Sequence, residues 1–293
     1  MKKRTIKQNI FPVLNGTILG IISLSCLVPL VHIFAIAFSN NSEVVKGAVT
    51  LWPKRFTLSS FTFVLEREEF WRAFGVTLKR IAIGLPLNMF LTIITAYPLS
   101  KESSTFKPRT FYVWFMFFTM LFGGGLIPTY MLVKQLNLLD SIWALVLPGA
   151  LQVFNVILLL NFFRQLPKEM AEAAYMDGAG HWQTLWKIYV PTSMASLATI
   201  ILFTVVGHWN SWFDGMIYMN MPDKYPLQTF LRTVITMPDF KYLKADDWKT
   251  LQSISDRTTR SAQIIIASVP ILMVYPFLQK YFVKGIILGS VKG

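Results

Sequence analysis

The sequence predicts an all-α membrane protein with about six membrane-spanning helices, and two observations support this. The chain has 293 residues, of which 54% are hydrophobic, and its mean hydropathy is +0.48, whereas soluble domains are about 45–50% apolar. The apolar residues are concentrated in blocks of about 20, the length that an α-helix needs to cross the hydrocarbon core. Because lipid offers the backbone no hydrogen-bonding partner, these blocks are expected to be helices rather than strands.

Six apolar blocks follow one another along the chain. They are Val13–Phe38, Ile81–Leu99, Phe111–Val133, Ser141–Phe163, Pro191–Phe213 and Ser261–Gln279. With these boundaries the blocks contain no Asp, Glu, Lys or Arg. The first block follows Met1-Lys2-Lys3-Arg4, but it is too long for a secretory signal peptide and is interpreted as a retained span.

The distribution of Lys and Arg predicts the orientation. If the N-terminus is cytosolic, the inner segments are short and together hold 13 Lys/Arg against 4 Asp/Glu; they are 1–9, 100–110, 164–190 and 280–293. This excess follows the positive-inside rule, so both termini are expected in the cytosol. The predicted organisation is a cytosolic tail (1–12) and a transmembrane domain (13–293) that includes a cytosolic loop (164–191) and a cytosolic C-terminal tail (280–293).

Several other classes of protein do not fit this sequence. The net charge of +13 would suggest nucleic acid in a soluble protein, but here the basic residues flank apolar blocks, as membrane proteins require. No phosphate-binding loop of the Walker type is present. The three histidines, His32, His181 and His208, lack metal-ligand spacing. The sequence therefore predicts no catalytic residue, no metal and no cofactor on this chain. Gly123–Gly125, within the third block, is expected to distort a helix or allow close packing.

Two long segments are expected on the outer side of the membrane. Residues 39–80 contain Phe70, Trp71 and Phe74, which suggest an interfacial amphipathic helix leading into the second span. Residues 214–260 are polar. Each segment fits contact with an external partner, and each equally fits a solvated loop.

The loop at 164–191 divides into two short helices. Pro167 suits a first helical turn, and Lys168–Met176 follow it. Asp177 and Gly178 break this helix, because glycine accepts a left-handed backbone, and Asp177 is expected to cap a second helix around Trp182–Tyr189. Small residues would let the backbone of another protein approach closely; they are Ala171, Ala173, Ala174 and Ala179. The same pattern also fits an ordinary interfacial hairpin.

Residues within this loop resemble a signature of binding-protein-dependent ABC permeases. The matching residues are Glu172-Ala173-Ala174, Asp177-Gly178-Ala179, Ile188 and Pro191. The resemblance implies that the loop docks into a cleft of a cytosolic ATPase. It assigns ATPase coupling to Glu172, Ala173, Ala174, Asp177, Gly178, Ala179 and Pro191, with Glu172 making charged hydrogen bonds to the ATPase.

Other stretches resemble the carbohydrate-uptake branch of this family. Ala96–Lys101 is similar to a stretch at the end of span two, Trp209-Asn210 to a pair near the end of span five, and the C-terminus to the tail of the second permease subunit of maltose-type importers. That tail would contact the ATPase through Lys284, Gly285, Lys292 and Gly293. The most similar branch handles complex oligosaccharides, including uronate-containing ones such as alginate.

The resemblance implies a permease subunit of an ATP-driven oligosaccharide importer in a bacterial cytoplasmic (inner) membrane. The implied partners are a second related permease chain, two copies of an ABC ATPase that binds ATP and Mg, an extracytoplasmic sugar-binding protein, the oligosaccharide and lipid. Hydrolysis would occur on the ATPase, so the chain itself is not an enzyme. Two alternatives are an ion-coupled secondary sugar carrier and a membrane scaffold without a transport role.

Aromatic and basic residues near the outer ends of the spans are candidates for the substrate pathway. Trp143, Trp209, Asn210 and Trp212 have the chemistry of sugar binding, although aromatic residues also anchor spans at the interface. Lys79 and Arg80 would attract an anionic sugar if they face the pathway. If they do not, they are expected to extend towards lipid headgroups.

Overall fold

The computed structural model of this protein describes residues 6–236 and 257–273. Helices dominate these residues. Within these two ranges no strand is present, and one isolated antiparallel bridge joins Ser39 to Phe56. The predicted all-α fold is therefore confirmed.

The helices follow the apolar blocks. The first part of the chain contains α1 (Ile6–Ala37), α2 (Asn41–Val45), α3 (Ser59–Leu65) and α4 (Glu68–Ser100). The middle part contains α5 (Arg109–Leu121), α6 (Leu126–Gln135), α7 (Ile142–Val146) with a 3-10 turn (Leu147–Gly149), and α8 (Val153–Gln165). Next come α9 (Lys168–Met176), α10 (His181–Thr184), a π-helical turn (Leu185–Tyr189), α11 (Val190–Thr192) and α12 (Met194–Asn210). The remaining described elements are α13 (Phe213–Tyr218), a 3-10 turn (Pro222–Lys224), α14 (Leu227–Thr236) and α15 (257–273).

The predicted spans differ in continuity. In the described part, α1 and α4 are each long and apolar enough to cross a membrane. The third and fourth predicted spans are instead bent pairs, α5 with α6 at 107° and α7 with α8 at 48°. The fifth, Pro191–Phe213, contains α12, which meets the preceding helical segment α10–α11 at 82°. The sixth block agrees with α15 as far as residue 273, and its last residues lie outside the described part.

The three consecutive glycines lie at the sharpest of these bends, between α5 and α6. Gly125 has a φ of +85° and precedes the first residue of α6, a backbone conformation that favours glycine. A Cβ on Gly123 or Gly124 would meet nothing within 4 Å. The expected helix distortion is therefore correct, and the alternative of close packing is not supported at these two glycines.

Helix α4 corrects the prediction for the second span. It begins at Glu68 and continues without interruption to Ser100, whereas the sequence suggested an interfacial helix followed by a span from Ile81. Arg72, Lys79 and Arg80 thus lie on the same helix as the span. The description of the spans as free of charge holds only for the shorter predicted boundaries.

The chain forms two compact units. The described part of the first is 6–70, 233–236 and 257–268, where Ala37 and Ile265 are buried together. The second includes 71–232 and contains the larger core. The members of this core come from α4, α8, α9, the π-helical turn and α12; they include Tyr97, Leu159, Phe163, Ala171, Leu185, Tyr189 and Ile200. Burying these side chains attaches the 168–189 hairpin to the helices beside it.

Candidate functional site

The loop at 164–191 is a hairpin of two short helical segments, as predicted. The first is α9, which starts directly after Pro167. Glu169 lies in its first turn, where a carboxylate interacts favourably with the helix dipole. The second runs through α10 and the π-helical turn into α11. Pro191 lies in the first turn of α11, just before the bend into α12. The hairpin thus connects directly to two apolar helices.

Gly178 forms the turn between the two segments. Its φ is +80°, and its N–H donates to the Tyr175 carbonyl at 3.0 Å. Ala179 N–H donates to the Ala174 carbonyl at 2.9 Å. These two bonds satisfy carbonyl groups that the end of α9 would otherwise leave unpaired.

The expected cap by Asp177 is wrong. Asp177 occupies the C-cap position of α9, and Gly180 occupies the N-cap position of α10. Gly180 N–H donates to Gln183 Oε1 at 3.3 Å. Glycine is accepted at an N-cap, so the second segment begins without the Asp177 side chain.

The α9 helix has two chemically different faces. Ala171 and Ala174 are 7% and 8% exposed and pack inwards. Glu172 and Ala173 are exposed, and Met176 is 89% exposed. The prediction that all four alanines face another protein is therefore corrected: Ala171 and Ala174 contact this chain's own helices, Ala173 faces outwards, and Ala179 is half-buried.

The second segment of the hairpin also has exposed residues. Trp182 is 62% exposed and Trp186 is 41% exposed. We term the exposed residues Glu172, Ala173, Met176, Trp182 and Trp186 the outer hairpin face. Exposed apolar area beside polar groups is typical of a surface that contacts another protein or the membrane.

An exposed ion pair adds to the attachment of the hairpin. Lys168, the first residue of α9, pairs with Glu102 in the segment after α4. The hydrogen bond from Lys168 holds the pKa of Glu102 below its ordinary value, and the same bond raises the pKa of Lys168. Both side chains are largely exposed, so solvent screens their attraction.

A buried polar cluster is centred on Arg80, which lies in α4. Arg80 is 4% exposed and forms an ion pair with Asp214. Arg80 Nε donates to His208 Nδ1 at 3.1 Å. Asp214 also accepts hydrogen bonds from Ser211 Oγ at 2.7 Å and from Gly215 N–H at 2.9 Å. The cluster therefore joins α4, α12 and α13 through charge and hydrogen bonds.

The hydrogen bonds of the cluster fix the orientation of its imidazole and amide groups. Because His208 Nδ1 accepts from Arg80, the imidazole proton is on Nε2, which lies 3.3 Å from the Asn88 side-chain amide. Asn88 then accepts through its oxygen. Its nitrogen donates to the carbonyls of Gly84 at 2.9 Å and Ala150 at 3.2 Å. Each residue of this set has at least one hydrogen-bond partner, but within the described residues the buried Arg80 Nη1 has none.

This cluster separates the two adjacent basic residues of the sequence. Lys79 is exposed and Arg80 is buried, so the expectation that Arg80 extends towards lipid headgroups is wrong. The paired Asp214 compensates the Arg80 charge, which leaves Arg80 little long-range attraction for an anion. Asp214 was not among the candidates from the sequence, because it lies 134 positions from Arg80 and no local pattern relates them.

The candidate aromatic residues have different surroundings. Trp209 is 3% exposed and packs edge-on against Phe74. Trp143 is 43% exposed on α7. Trp212 is half-buried and has the Arg232 guanidinium 3.6 Å from its ring centroid. Asn210 is exposed at the end of α12. The candidates in the C-terminal tail, Lys284, Gly285, Lys292 and Gly293, lie outside the described residues.

Comparison with known proteins gives one family match and several relatives. The profile of the family described as "Binding-protein-dependent transport system inner membrane component" matches residues 87–288. Protein LplC of Bacillus subtilis (strain 168) is 40% identical over 286 residues, covering 97% of this chain and 95% of the relative. The polygalacturonan/rhamnogalacturonan transport system permease protein YtcP of the same organism is 35% identical over 288 residues, covering 98% and 100%.

A solved structure has the same fold over nearly the whole chain. It is the crystal structure of a bacterial ABC transporter involved in the import of the acidic polysaccharide alginate. One of its chains matches with a TM-score of 0.85 and 32% identity, and the match covers 96% of this chain and 100% of that chain. The family match, which begins at residue 87, includes the hairpin, and the similarity of fold covers nearly the whole chain.

Proposed function

Because this chain belongs to the family of binding-protein-dependent transport system inner membrane components, we propose that it is the membrane-spanning permease subunit of an ATP-driven importer of oligosaccharides. The chain is a multi-pass inner-membrane component. In this role it catalyses no change of covalent bonds. It couples ATP hydrolysis by a separate ATPase to alternating access of the transport pathway. The family assignment disfavours an ion-coupled secondary carrier.

The observation that carries the proposal is the hairpin with its two faces. Buried Ala171 and Ala174 hold α9 against the membrane helices, and the outer hairpin face remains open to a partner. Glu172 supplies a charge for hydrogen bonds to that partner, and such bonds are about twice as strong as neutral ones. We assign the ATPase to this face and place the hairpin in the cytosol, in agreement with the positive-inside rule.

The remaining partners follow from the same role. The complex would contain a second related permease chain, two copies of the ATPase with ATP and Mg, and an extracytoplasmic binding protein that delivers the sugar. The C-terminal tail, 280–293, would contact the ATPase. The organisation into a tail at 1–12 and a transmembrane domain at 13–293 belongs to the same proposal, although α1 already begins at Ile6.

We further propose that the oligosaccharide is acidic. The descriptions of two similar proteins name acidic polysaccharides: polygalacturonan for one and alginate for the other. On this chain, exposed Lys79 remains a candidate for steering an anion towards the outer surface, whereas Arg80 is neutralised by Asp214. Trp143, Trp209, Asn210 and Trp212 stay candidates for contacts with sugar rings.

The test reconstitutes the complex in proteoliposomes and measures ATP hydrolysis with binding protein loaded with uronate or with neutral oligosaccharides. We expect uronate-loaded binding protein to stimulate hydrolysis. Gly178→Asp should insert normally, but the stimulation of ATP hydrolysis should be about tenfold smaller than in the wild type. A side chain in the left-handed region costs about 1–2 kcal/mol, and this cost would deform the turn that presents the outer hairpin face.

The matched control is Gly47→Asp. Gly47 has a φ of +69° and, like Gly178, open space around its Cβ position, so the control has the same backbone cost at a distant turn in the sequence. Full stimulation in Gly178→Asp would remove the hairpin from its assigned role. Stimulation by neutral sugars alone would remove the acidic substrate and leave the permease role intact.

A further inference from the structure

A cluster of three tyrosines surrounds the lysine that follows α4. Lys101 Nζ lies 4.3 Å from the ring centroid of Tyr97 and 4.4 Å from that of Tyr189. It also donates a hydrogen bond to Tyr189 Oη at 3.0 Å. The ring of Tyr175 is more distant, at 5.9 Å. A lysine ammonium within about 6 Å of an aromatic centroid is attracted by the ring quadrupole.

The tyrosines also contact one another. The hydroxyls of Tyr97 and Tyr175 are 3.3 Å apart, and Tyr175 Oη lies 3.0 Å from His181 Nδ1. The rings of Tyr97 and Tyr189 meet edge to face with centroids 5.0 Å apart. Since these residues belong to α4, α9, α10 and the π-helical turn, one ammonium group links the end of a membrane helix to both segments of the hairpin.

The charge of Lys101 is held by tyrosine rings and by the Tyr189 hydroxyl. Among the described residues it forms no ion pair, while the adjacent Glu102 is paired with Lys168. Lys101 is half-buried with its ammonium directed at Tyr189, which is not the geometry of a lysine extended to lipid headgroups. Lys107, in the same segment, is exposed and has no ring contact within the described part of the chain, so proximity to the membrane surface alone does not produce this arrangement.

We propose that Lys101 is a positioning residue that fixes the hairpin to α4, so that a displacement of the hairpin by the ATPase is transmitted to the membrane helix. This proposal rests on the permease role stated above for its functional consequence. Because the ammonium contacts more than one ring, it keeps part of its attraction when one ring shifts. The contact therefore still joins the hairpin to α4 while the ATPase displaces the hairpin.

The first measurement needs no transport. Hydrogen exchange of residues 168–189 is followed in the full chain, purified in lipid nanodiscs, for Lys101→Met and for the matched control Lys107→Met. We expect exchange about tenfold faster in Lys101→Met alone, because the hairpin opens locally more often without the cation. Lys101→Arg should restore slow exchange, since arginine makes the same contacts with aromatic faces.

The second measurement uses the assembled transporter. Lys101→Met should still bind the ATPase in the wild-type ratio but lose stimulation of ATP hydrolysis by the binding protein, and Lys101→Arg should regain most of it. Absence of stimulation in the wild type would contradict the permease role and leave the exchange result as the test of the positioning role. The two failures are therefore distinguishable.

Three outcomes would overturn the proposal. One is exchange in Lys101→Met equal to that in Lys107→Met, and another is a Lys101→Arg variant that behaves like Lys101→Met. If Lys101→Met yields too little folded chain to measure, Tyr189→Phe replaces it. This variant removes the hydroxyl that accepts the hydrogen bond from Lys101. Exchange identical to the wild type in Tyr189→Phe is the third.

Discussion

Two cations, Arg80 within α4 and Lys101 directly after its last residue, are held in opposite ways. Arg80 and Lys101 are separated by about 30 Å at the rise of an α-helix. Arg80 is buried and faces a carboxylate and an imidazole, whereas Lys101 is half-buried and faces tyrosine rings. We refer to the first as the Arg80 cluster and to the second as the Lys101 contact.

The two arrangements tolerate different amounts of movement. A buried ion pair depends on close geometry, and removal of one partner leaves an uncompensated charge in the interior. A cation against several ring faces keeps part of its stabilisation when one ring moves. The Arg80 cluster therefore joins α4, α12 and α13 through a geometry that tolerates little movement, and the Lys101 contact keeps the hairpin joined to α4 when one ring shifts.

The largest effect should come from Asp214→Asn. This change leaves Arg80 charged and buried without its carboxylate, which should lower the free energy of unfolding by about 3–5 kcal/mol. Thermal unfolding of the purified chain in nanodiscs measures it. The control is Asp223→Asn, which removes an exposed carboxylate nearby in the sequence.

A double variant sharpens this prediction. Arg80→Met together with Asp214→Asn removes both charges and should be less destabilising than Asp214→Asn alone, because no charge remains buried. Equal stability of Asp214→Asn and Asp223→Asn would contradict the idea that the Arg80 cluster fixes three helices.

An intermediate effect is expected from Gly84→Ala. A Cβ at this position would lie 2.5 Å from His208 Nε2 and 2.8 Å from Cε1. The imidazole would have to move and would lose its bonds to Arg80 and Asn88, so we expect destabilisation of about 1–3 kcal/mol, typical of overpacking. Thermal unfolding again measures the change.

Gly75→Ala is the matched control on the same helix. A Cβ on Gly75 meets nothing within 4 Å, and alanine is favoured over glycine inside a helix by roughly 0.5–1 kcal/mol. The two glycine variants should therefore shift the unfolding temperature in opposite directions. A shift of the same sign and size in both would show that the His208 position does not depend on Gly84.

The smallest effect should come from Glu102→Gln, which tests the ion pair next to Lys101. The pKa of Glu102 is lowered in the folded chain by Lys168, so the pair stabilises the fold above the ordinary pKa of 4.5 and this contribution disappears as the pH falls through the lowered value. Both groups are exposed, so we expect a barely measurable fall in unfolding temperature near neutral pH and none in acid.

The comparison of Glu102→Gln with Lys101→Met ranks the two links between α4 and the hairpin. Hydrogen exchange of residues 168–189 should remain close to wild type in Glu102→Gln. If that exchange rose as much as in Lys101→Met, the surface ion pair would contribute as much as the tyrosine faces, and the distinction between the two regions would need revision.

Much of the fold and the hairpin could be predicted from the sequence, since their signals are local. The blocks of apolar residues specified the helices, because the length and composition of a span depend only on neighbouring residues. Pro167 and Gly178 specified the bounds of α9 in the same way. The residues that resemble the family signature also lie in one continuous segment, so they could be recognised without the structure.

Contacts between distant parts of the chain could not be predicted from the sequence, because they depend on how the helices pack. Lys101 lies 88 positions from Tyr189, and Arg80 lies 134 positions from Asp214, so no sequence period relates them. The helix packing also decided which alanines of α9 are buried and made two predicted spans into bent pairs. The physical reason is that hydrophobic length is a property of a segment, whereas the partner of a buried charge depends on which helices pack together.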